Sequence, residues 1–197
     1  MKRAFLIAAI ALAIAVPAFA LLATWQLDPN HSNAQFTVRH LGISNVQGEF
    51  TKVTGTVQLD EEDFTKSAVN ATIDVNSVDT RVADRDKDLR STNFFDVATY
   101  PTMTFQSKKI ARSDDGKLKM TGELTIHGVT HEVTFDVDGP TPAIKDPWGN
   151  LRRGVSATTK INRKDFGLVY NKSLGTGEMV VGDSVDIKLD IEIVKKP

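Results

Sequence analysis

The sequence predicts an all-β domain of about eight antiparallel strands with one short helix. Three observations support this fold class. Apolar and polar residues alternate with a period of two through most of the chain after Thr24. Clusters of Gly, Pro, Asp and Asn separate the alternating segments, at the spacing that is typical of a β-sandwich or a β-barrel. One charged segment without Gly or Pro, residues 81–91, interrupts the alternation and predicts the helix.

The N-terminal residues have the parts of an export signal. Two basic residues precede the apolar segment 4–16, and a small-residue cleavage pattern ends at Ala20. The apolar segment is shorter than the roughly 20 residues that a membrane-spanning helix needs. We therefore expect a cleavable signal peptide at residues 1–20, with Ala23 as an alternative cleavage position, and a mature protein in the periplasm.

Composition excludes several classes of function. Without residues 1–20 the chain has 22 basic against 25 acidic side chains, so it lacks the basic surface of a nucleic-acid-binding protein. It has no cysteine, which excludes a thiolate metal site, a cysteine nucleophile and an N-terminal lipid anchor on cysteine. No repeat or low-complexity linker divides residues 24–195. We expect these residues to form a single domain without stable membrane insertion.

Each alternating segment is predicted to be a half-buried strand with one polar face. The segments are residues 32–40, 53–59, 69–75, 102–110, 118–126, 133–137, 155–161 and 185–193. Two Trp and two Tyr residues are too few for the aromatic girdles of an outer-membrane barrel. The alternation alone leaves a closed barrel and a sandwich as equal alternatives.

The interior of such a barrel is either filled by side chains or holds one small ligand. Small residues at inward positions leave room for a ligand: Ala34, Ala71, Gly122 and Ala157. Large aromatic residues at other positions would fill it: Phe50, Phe105, Phe135 and Phe166. The residues themselves leave both outcomes open.

The sequence contains few candidates for catalysis. No Ser lies in a G-x-S-x-G motif, and no glycine-rich loop has the spacing that holds phosphate. His31 and His40 are nine positions apart, so on one unbroken strand they face opposite sides. His127 and His131 flank a hairpin turn, but two histidines are fewer than the ligands that zinc requires. We predict no catalytic residue, no metal and no cofactor.

Several motifs occur in a fixed order and together resemble the signature of the YceI-like family. Within residues 77–107 they are Ser-Val-Asp at 77–79, Arg-Asp at 85–86, Leu-Arg-Ser at 89–91, Phe-Phe-Asp-Val at 94–97 and Tyr-Pro at 100–101. Elsewhere they are Asp28, His31-Ser32, Phe36, Val38, His40-Leu41, Gly48, Phe50, and the segments 122–126, 128–130, 165–167 and 181–183. Where the family commonly has His two residues after Arg-Asp, this chain has Asp88.

The resemblance implies a soluble, lipocalin-like antiparallel barrel that binds a polyisoprenoid-type lipid, such as a quinone or its precursor. It implies a mouth near the helix, where Arg85 and Asp86 would hold the helix and the polar head of the lipid would lie. The expected partners are this lipid and, as a candidate, a second copy of the chain in a homodimer. The predicted cavity residues are Phe36, Val38, His40, Phe50, Ala71, Ile73, Val75, Leu89, Phe94, Phe95, Phe105, Phe135 and Phe166.

Two alternatives to a lipid carrier remain at this point. One is a periplasmic enzyme that acts on a small or lipid substrate, with a metal at His127 and His131. The other is a scaffold protein whose barrel interior is filled, from which no ligand could be extracted.

We predict that the mature protein begins near Leu21 or Thr24 and is released from cells by osmotic shock without detergent. The reason is that the apolar segment is too short to span a bilayer as a helix and no cysteine is present for lipidation. N-terminal sequencing of the released protein checks the prediction. A chain with an intact N-terminus in the membrane fraction would contradict it.

Overall fold

The computed structural model describes residues 22–173 and 179–195, and the expected signal peptide lies outside this part. The strands are β1 (Ala23–Leu27), β2 (Asn33–His40), β3 (Ser44–Phe50), β4 (Val53–Leu59), β5 (Ala68–Asp74), β6 (Val78–Asp79), β7 (Thr102–Arg112), β8 (Leu118–Ile126), β9 (Val129–Asp138), β10 (Ile144–Lys145), β11 (Leu151–Asn162) and β12 (Val181–Lys195). The helices are α1 (Ala83–Arg90) and three short 3₁₀ helices, Phe64–Lys66, Val75–Ser77 and Arg163–Phe166.

The sheet closes on itself because β11 pairs with β12 as well as with β9. β1 and β2 both pair antiparallel with the same edge of β12, so they act as one interrupted strand. β3 and β4 form the next interrupted strand, in which β3 pairs with β2 and β4 pairs with β1. β5 and β6 form the third, in which β5 pairs with β4 and β6 pairs with β3. The wall is therefore a closed barrel of eight antiparallel strands in sequence order. This result confirms the fold class predicted from the sequence, and among the described residues the barrel carries one α-helix.

Strand β12 shows why these residues form a barrel wall. It is in continuous register with β11, from Leu151 opposite Lys195 to Asn162 opposite Ser184. Its apolar side chains face the interior, while its charged side chains face outward, where Lys188 and Asp190 form an ion pair. Because successive side chains of a strand point to opposite faces, the alternation in the sequence is sufficient to place β12 with one face inside.

Helix α1 lies within the predicted segment 81–91. Asp84 and Asp86 occupy its first turn, and Lys87 and Arg90 occupy its last part. This distribution of charge favours the helix, because the N-terminal end of a helix has a partial positive charge and the C-terminal end a partial negative charge.

Strands β1 and β3 were not predicted from the sequence. β3 lacks clear alternation because it contains four polar side chains and Gly48. Gly48 lies opposite Phe36 on β2, and a Cβ atom at Gly48 would lie only 2.4 Å from the Phe36 ring. The Phe36 ring therefore supplies the apolar surface at the position where β3 has no side chain. For this reason the sequence of β3 alone shows no apolar residue there.

Arg152 connects four parts of the barrel. Its Nη1 donates to Asp28 Oδ2 at 2.6 Å and to Glu192 Oε1, and its Nε donates to Asp146 Oδ2 at 2.7 Å. Asp28 follows β1, Asp146 lies in the loop before β11, and Glu192 is on β12. Asp28 also accepts a hydrogen bond from His31 Nδ1 at 2.9 Å. Burial raises the pKa of Asp28, but the bonds from Arg152 and His31 outweigh it and bring the pKa down to about 2.

We predict that Asp28→Asn lowers the free energy of unfolding by about 2 kcal/mol at pH 7, because a folded-state pKa near 2 favours the ionised form. The contribution is present above the unfolded pKa of about 4 and is lost as the pH falls towards 2. Urea denaturation at pH 7 and at pH 3 checks the change. The exposed Asp114→Asn is the control. An equal effect at both pH values would contradict the prediction.

Candidate ligand cavity

The barrel encloses a cavity of about 260 Å³. Its lining is almost entirely aliphatic and aromatic. The polar residues of the lining are Gln35, Ser67, Thr104 and Arg163. A cavity with this lining can bury an apolar molecule, since burial of apolar surface is the main favourable contribution to such binding.

Strand β12 follows the cavity along its length. Lining residues occur at every second position from Val185 to Ile193, a rise of about 26 Å along the strand. The adjacent strand β11 contributes Val155, Ala157 and Ile161. The cavity is therefore elongated along the wall formed by β11 and β12.

Helix α1 and the segment after it, residues 91–101, cover one end of the cavity. Leu89, Phe94 and Phe95 from this region are part of the lining. The Phe95 ring contacts Phe50 of β3, with centroids 5.6 Å apart, and the Phe94 ring contacts Tyr170, with centroids 5.0 Å apart. These contacts connect the cover to β3 and to the segment between β11 and β12. We call this end the α1 end.

Thr80 anchors helix α1 to the barrel. Asp86, which is buried, accepts hydrogen bonds from Thr80 N at 2.9 Å and from Thr80 Oγ1 at 2.5 Å. Arg85 donates from Nε to Thr80 Oγ1 and from Nη2 to Thr80 O, both at 2.8 Å. The two residues predicted to hold the helix therefore both bind the chain just before it. Asp86 Oδ1 and the Nε and Nη2 atoms of Arg85 are therefore bonded to Thr80 and not directed at a ligand.

Arg163 is the one charged residue among the described residues that line the cavity, and it is 4% exposed. Its Nε donates to Gly182 O, its Nη1 to Leu168 O and Tyr170 O, and its Nη2 to Val181 O and the Asp183 carboxylate. Burial lowers the pKa of its guanidinium. Because all five N–H donors bind protein oxygens, Arg163 connects residues 168–170 to the start of β12 and has no donor left for a ligand.

The cavity brings together most of the residues predicted from the sequence. Its lining includes Phe36, Val38, Phe50, Ala71, Ile73, Leu89, Phe94, Phe95, Phe105 and Phe135. Val75 and Phe166 are buried in the core cluster instead, and His40 lies half-buried at the end of β2. The lining does not include these three residues. Contact of any of these residues with a ligand stays a prediction.

Three of the four small inward residues, Ala34, Ala71 and Ala157, line the cavity. Gly122 does not provide free space, which differs from the expectation. A Cβ atom at Gly122 would lie 2.6 Å from the Phe105 ring, so this ring already occupies the position. The Phe105 ring thus fills the space beside Gly122 that the sequence-based prediction had left for a ligand.

The cavity residues predicted from the sequence do not include a set of lining residues on the central strands. They include Val57, Val69, Met103, Met120, Leu124 and Ile126. Their alternation within the predicted strands was a sufficient signal for most of them, because residues i, i+2 and i+4 of a strand share one face.

The histidines are engaged with other parts of the protein. His31 lies in the turn before β2 and not on the strand of His40, so the parity argument for one unbroken strand does not apply to this pair. The His127 ring contacts Tyr100, with centroids 4.4 Å apart. The His131 ring contacts Phe166, and its Nε2 lies 3.0 Å from Asp165 O.

Among residues 22–173 and 179–195, one group has the composition of a metal site. Asp28, His31 and Glu192 place ligand atoms within 4.8 Å of one another. Arg152 donates hydrogen bonds to both carboxylates, so their ligand oxygens already have a positively charged partner within the protein. The group is better explained as part of the ion-pair network than as a metal site.

In the part of the chain that the structure describes, no helix has the length and apolar character to cross a bilayer.

The sequence model of the YceI-like domain family matches residues 25–193 of this chain. The chain belongs to the YceI family. A UPF0312 protein of Vibrio parahaemolyticus is 37% identical over 100% of both chains. The YceI match includes all eight wall strands and the helix, from Trp25 on β1 to Ile193 on β12.

Solved structures with the same fold include a YceI protein of Campylobacter jejuni. It is 33% identical, with a TM-score of 0.67, and the match covers 81% of this chain and 90% of that chain. A polyisoprenoid-binding domain from Saccharophagus degradans has a TM-score of 0.63 at 18% identity, over 89% of this chain and 99% of that chain. The second comparison shows that the fold is shared.

We predict that EDTA leaves the thermal midpoint of the protein unchanged, because the carboxylates of the candidate metal group are already paired with Arg152. Thermal melts with and without EDTA check this, together with metal analysis of dialysed protein. Loss of many degrees in EDTA, or stoichiometric metal after dialysis, would contradict it.

Proposed function

We propose that this protein is a periplasmic carrier that holds a long-chain isoprenoid or a similar amphiphilic lipid, such as a quinone or its precursor, in the barrel cavity. The observation that carries the proposal is the elongated apolar cavity along β12. Each methylene group that moves from water into such a cavity contributes about 0.8 kcal/mol. A chain of several isoprene units would therefore bind without any strong polar contact.

Two comparisons support a lipid as the ligand. The protein belongs to the YceI family, and a structure with the same fold is described as a polyisoprenoid-binding domain. The branched and aromatic side chains of the lining suit a methyl-branched chain, because they present many small apolar surfaces along its length. The exported location rests on the N-terminal sequence pattern.

The cavity favours binding over catalysis. A nucleophile needs an activating base beside it. A general acid or base must lie within hydrogen-bond distance of the atom to which it gives, or from which it takes, a proton. Among the described residues, the charged group in the lining is Arg163, and its donors are all bound to protein oxygens. The proposed carrier therefore needs no cofactor. Since the strands of one chain enclose the cavity, it also needs no second copy to complete the binding site.

Extraction of the protein tests the proposal directly. The protein is purified without detergent from its exported fraction, and an organic extract is analysed by mass spectrometry. We expect a stoichiometric lipid with an isoprenoid chain. Delipidated protein that takes up no isoprenoid lipid in a titration would overturn the proposal.

Ala71 provides a test of whether the cavity holds the ligand. It lines the cavity and lies opposite Gly55 and Phe105 on the neighbouring strands. In a filled interior, Ala71→Trp would cost about 1–3 kcal/mol or more, because extra volume forces neighbouring side chains out of position. In a cavity, the indole occupies the volume that the ligand needs. We predict nearly unchanged stability of the delipidated protein and a sharp loss of lipid binding.

A thermal melt of delipidated protein and a lipid titration measure the two quantities. Asn70→Trp is the matched control, because Asn70 is the exposed neighbour on β5 and its side chain points to the opposite face. This control should leave binding unchanged. Strong destabilisation by Ala71→Trp would show that the interior is filled.

A further inference from the structure

The two ends of the cavity are closed in different ways. At the end of β12 near Lys195, the lining on β1 and β12 stops at Leu27 and Ile193, which lie opposite each other. Trp25 is two residues further along β1, so its side chain points to the same face as Leu27. It is 0% exposed and belongs to the core cluster. The buried indole therefore covers this end of the cavity.

At the α1 end, the cavity wall continues into exposed apolar residues. Leu168 and Val181 line the cavity, and Arg163 donates hydrogen bonds to the carbonyl oxygens of both. Val169, the residue after Leu168, is 64% exposed, and Met179, two residues before Val181, is also exposed. The chain thus passes from the cavity wall to the protein surface within one or two residues.

The turn between β2 and β3 adds a further exposed apolar side chain at this end. Ile43 in this turn is 75% exposed. Leu41 N donates to Val180 O at 2.9 Å, and Gly42 and Met179 line the same small depression of the surface. The turn therefore lies directly beside the segment that precedes β12.

The start of helix α1 adds another. β6 pairs antiparallel with β3, so the chain after β6 runs towards the β2–β3 turn and reaches Val82, which is exposed. The contact between Phe94 and Tyr170 joins the cover of the cavity to the segment with Val169. We call the four exposed residues the apolar rim: Ile43, Val82, Val169 and Met179.

Exposed cations accompany the apolar rim. Arg81 directly precedes Val82, and Lys172 lies beside the rim because its carbonyl oxygen accepts from Val180 N at 3.0 Å. Asp84 on α1 is an exposed anion in the same region. Apolar side chains beside Lys and Arg favour binding to the interface of a bilayer, where the former enter the acyl boundary and the latter reach the phosphates.

We propose that the apolar rim docks reversibly on the surface of a phospholipid bilayer, so that the lipid enters and leaves the barrel at the α1 end. This inference rests on the proposed function. Exposure of each methylene group to water is unfavourable, so a lipid with several isoprene units is best transferred where the cavity meets the bilayer directly. A second copy of the chain on the apolar rim would instead cover this end of the cavity.

Cosedimentation with vesicles of phosphatidylcholine and phosphatidylglycerol tests the docking surface. We expect Ile43→Ser/Val169→Ser to bind these vesicles about tenfold more weakly than the wild type, because two apolar side chains no longer enter the interface. The matched control is Ile144→Ser/Trp148→Ser, since these residues are 64% and 79% exposed in the hairpin at the opposite end. The control should bind vesicles as the wild type does.

Farnesol, a 15-carbon isoprenoid alcohol, measures the cavity separately from the bilayer. Ile43 and Val169 are not part of the cavity lining. In a titration without vesicles, the delipidated Ile43→Ser/Val169→Ser protein should therefore bind farnesol as tightly as the delipidated wild type.

Tryptophan fluorescence shows which end of the barrel contacts the bilayer. Vesicles of brominated phospholipid should leave the emission of Trp148 unquenched in the wild-type protein, because Trp148 lies at the end away from the apolar rim. The same vesicles should quench the variant Ile43→Trp/Trp148→Phe. Trp25 is buried and gives the same background in both proteins.

Three results would overturn the docking surface: no binding of vesicles, equal vesicle affinity of the wild type and the Ile43→Ser/Val169→Ser variant, or quenching of Trp148. Self-association of the wild type that this variant abolishes, measured by sedimentation velocity, would also overturn it, because a second copy would then occupy the apolar rim. Binding of farnesol in any of these cases would leave the carrier function intact. Failure to bind farnesol or a longer isoprenoid would overturn the carrier function itself.

Discussion

Closure of the sheet by β12 is the constraint on which the rest of the structure depends. This strand pairs with β11 from Ser184 to Lys195 on one edge and with both β2 and β1 on the other. Without these pairings, β11 and the β1–β2 strand would be open edges with unpaired backbone groups. Closure also separates the inside from the outside for every strand, and so decides which of two alternating sets of side chains must be apolar.

The cavity is a consequence of closure combined with side-chain size. At Gly48 and Gly122 an aromatic ring from the neighbouring strand covers the glycine, so these positions are packed. At Ala34, Ala71 and Ala157 the small side chain borders free space. The interior is thus partly filled, and its remaining volume is continuous along β12. A single glycine in the sequence does not reveal which of the two situations applies.

The sequence predicted the barrel because its strands have one polar, exposed face and one apolar, buried face. The alternation is clear in β8 and β12. The sequence also predicted α1, and most of the residues that it assigned to the cavity belong to the lining. It could not predict β3, whose apolar face is completed by Phe36 of another strand. It could not predict the contact between the Arg153 guanidinium and the Trp25 ring either, because these side chains meet only when β1 and β11 are placed around β12. Contacts between residues far apart in the chain leave no local pattern.

An empty apolar cavity has an energetic cost that bears on the function. Cavities left by core truncations cost about 24 cal/mol per Å³, which for about 260 Å³ corresponds to roughly 6 kcal/mol. The whole stability of a domain is typically about 5–15 kcal/mol. A barrel evolved only as a scaffold would gain much from larger side chains at Ala34, Ala71 and Ala157. Retention of this volume is consistent with a ligand that fills it, and a bound ligand would stabilise the folded state in proportion to its affinity and concentration.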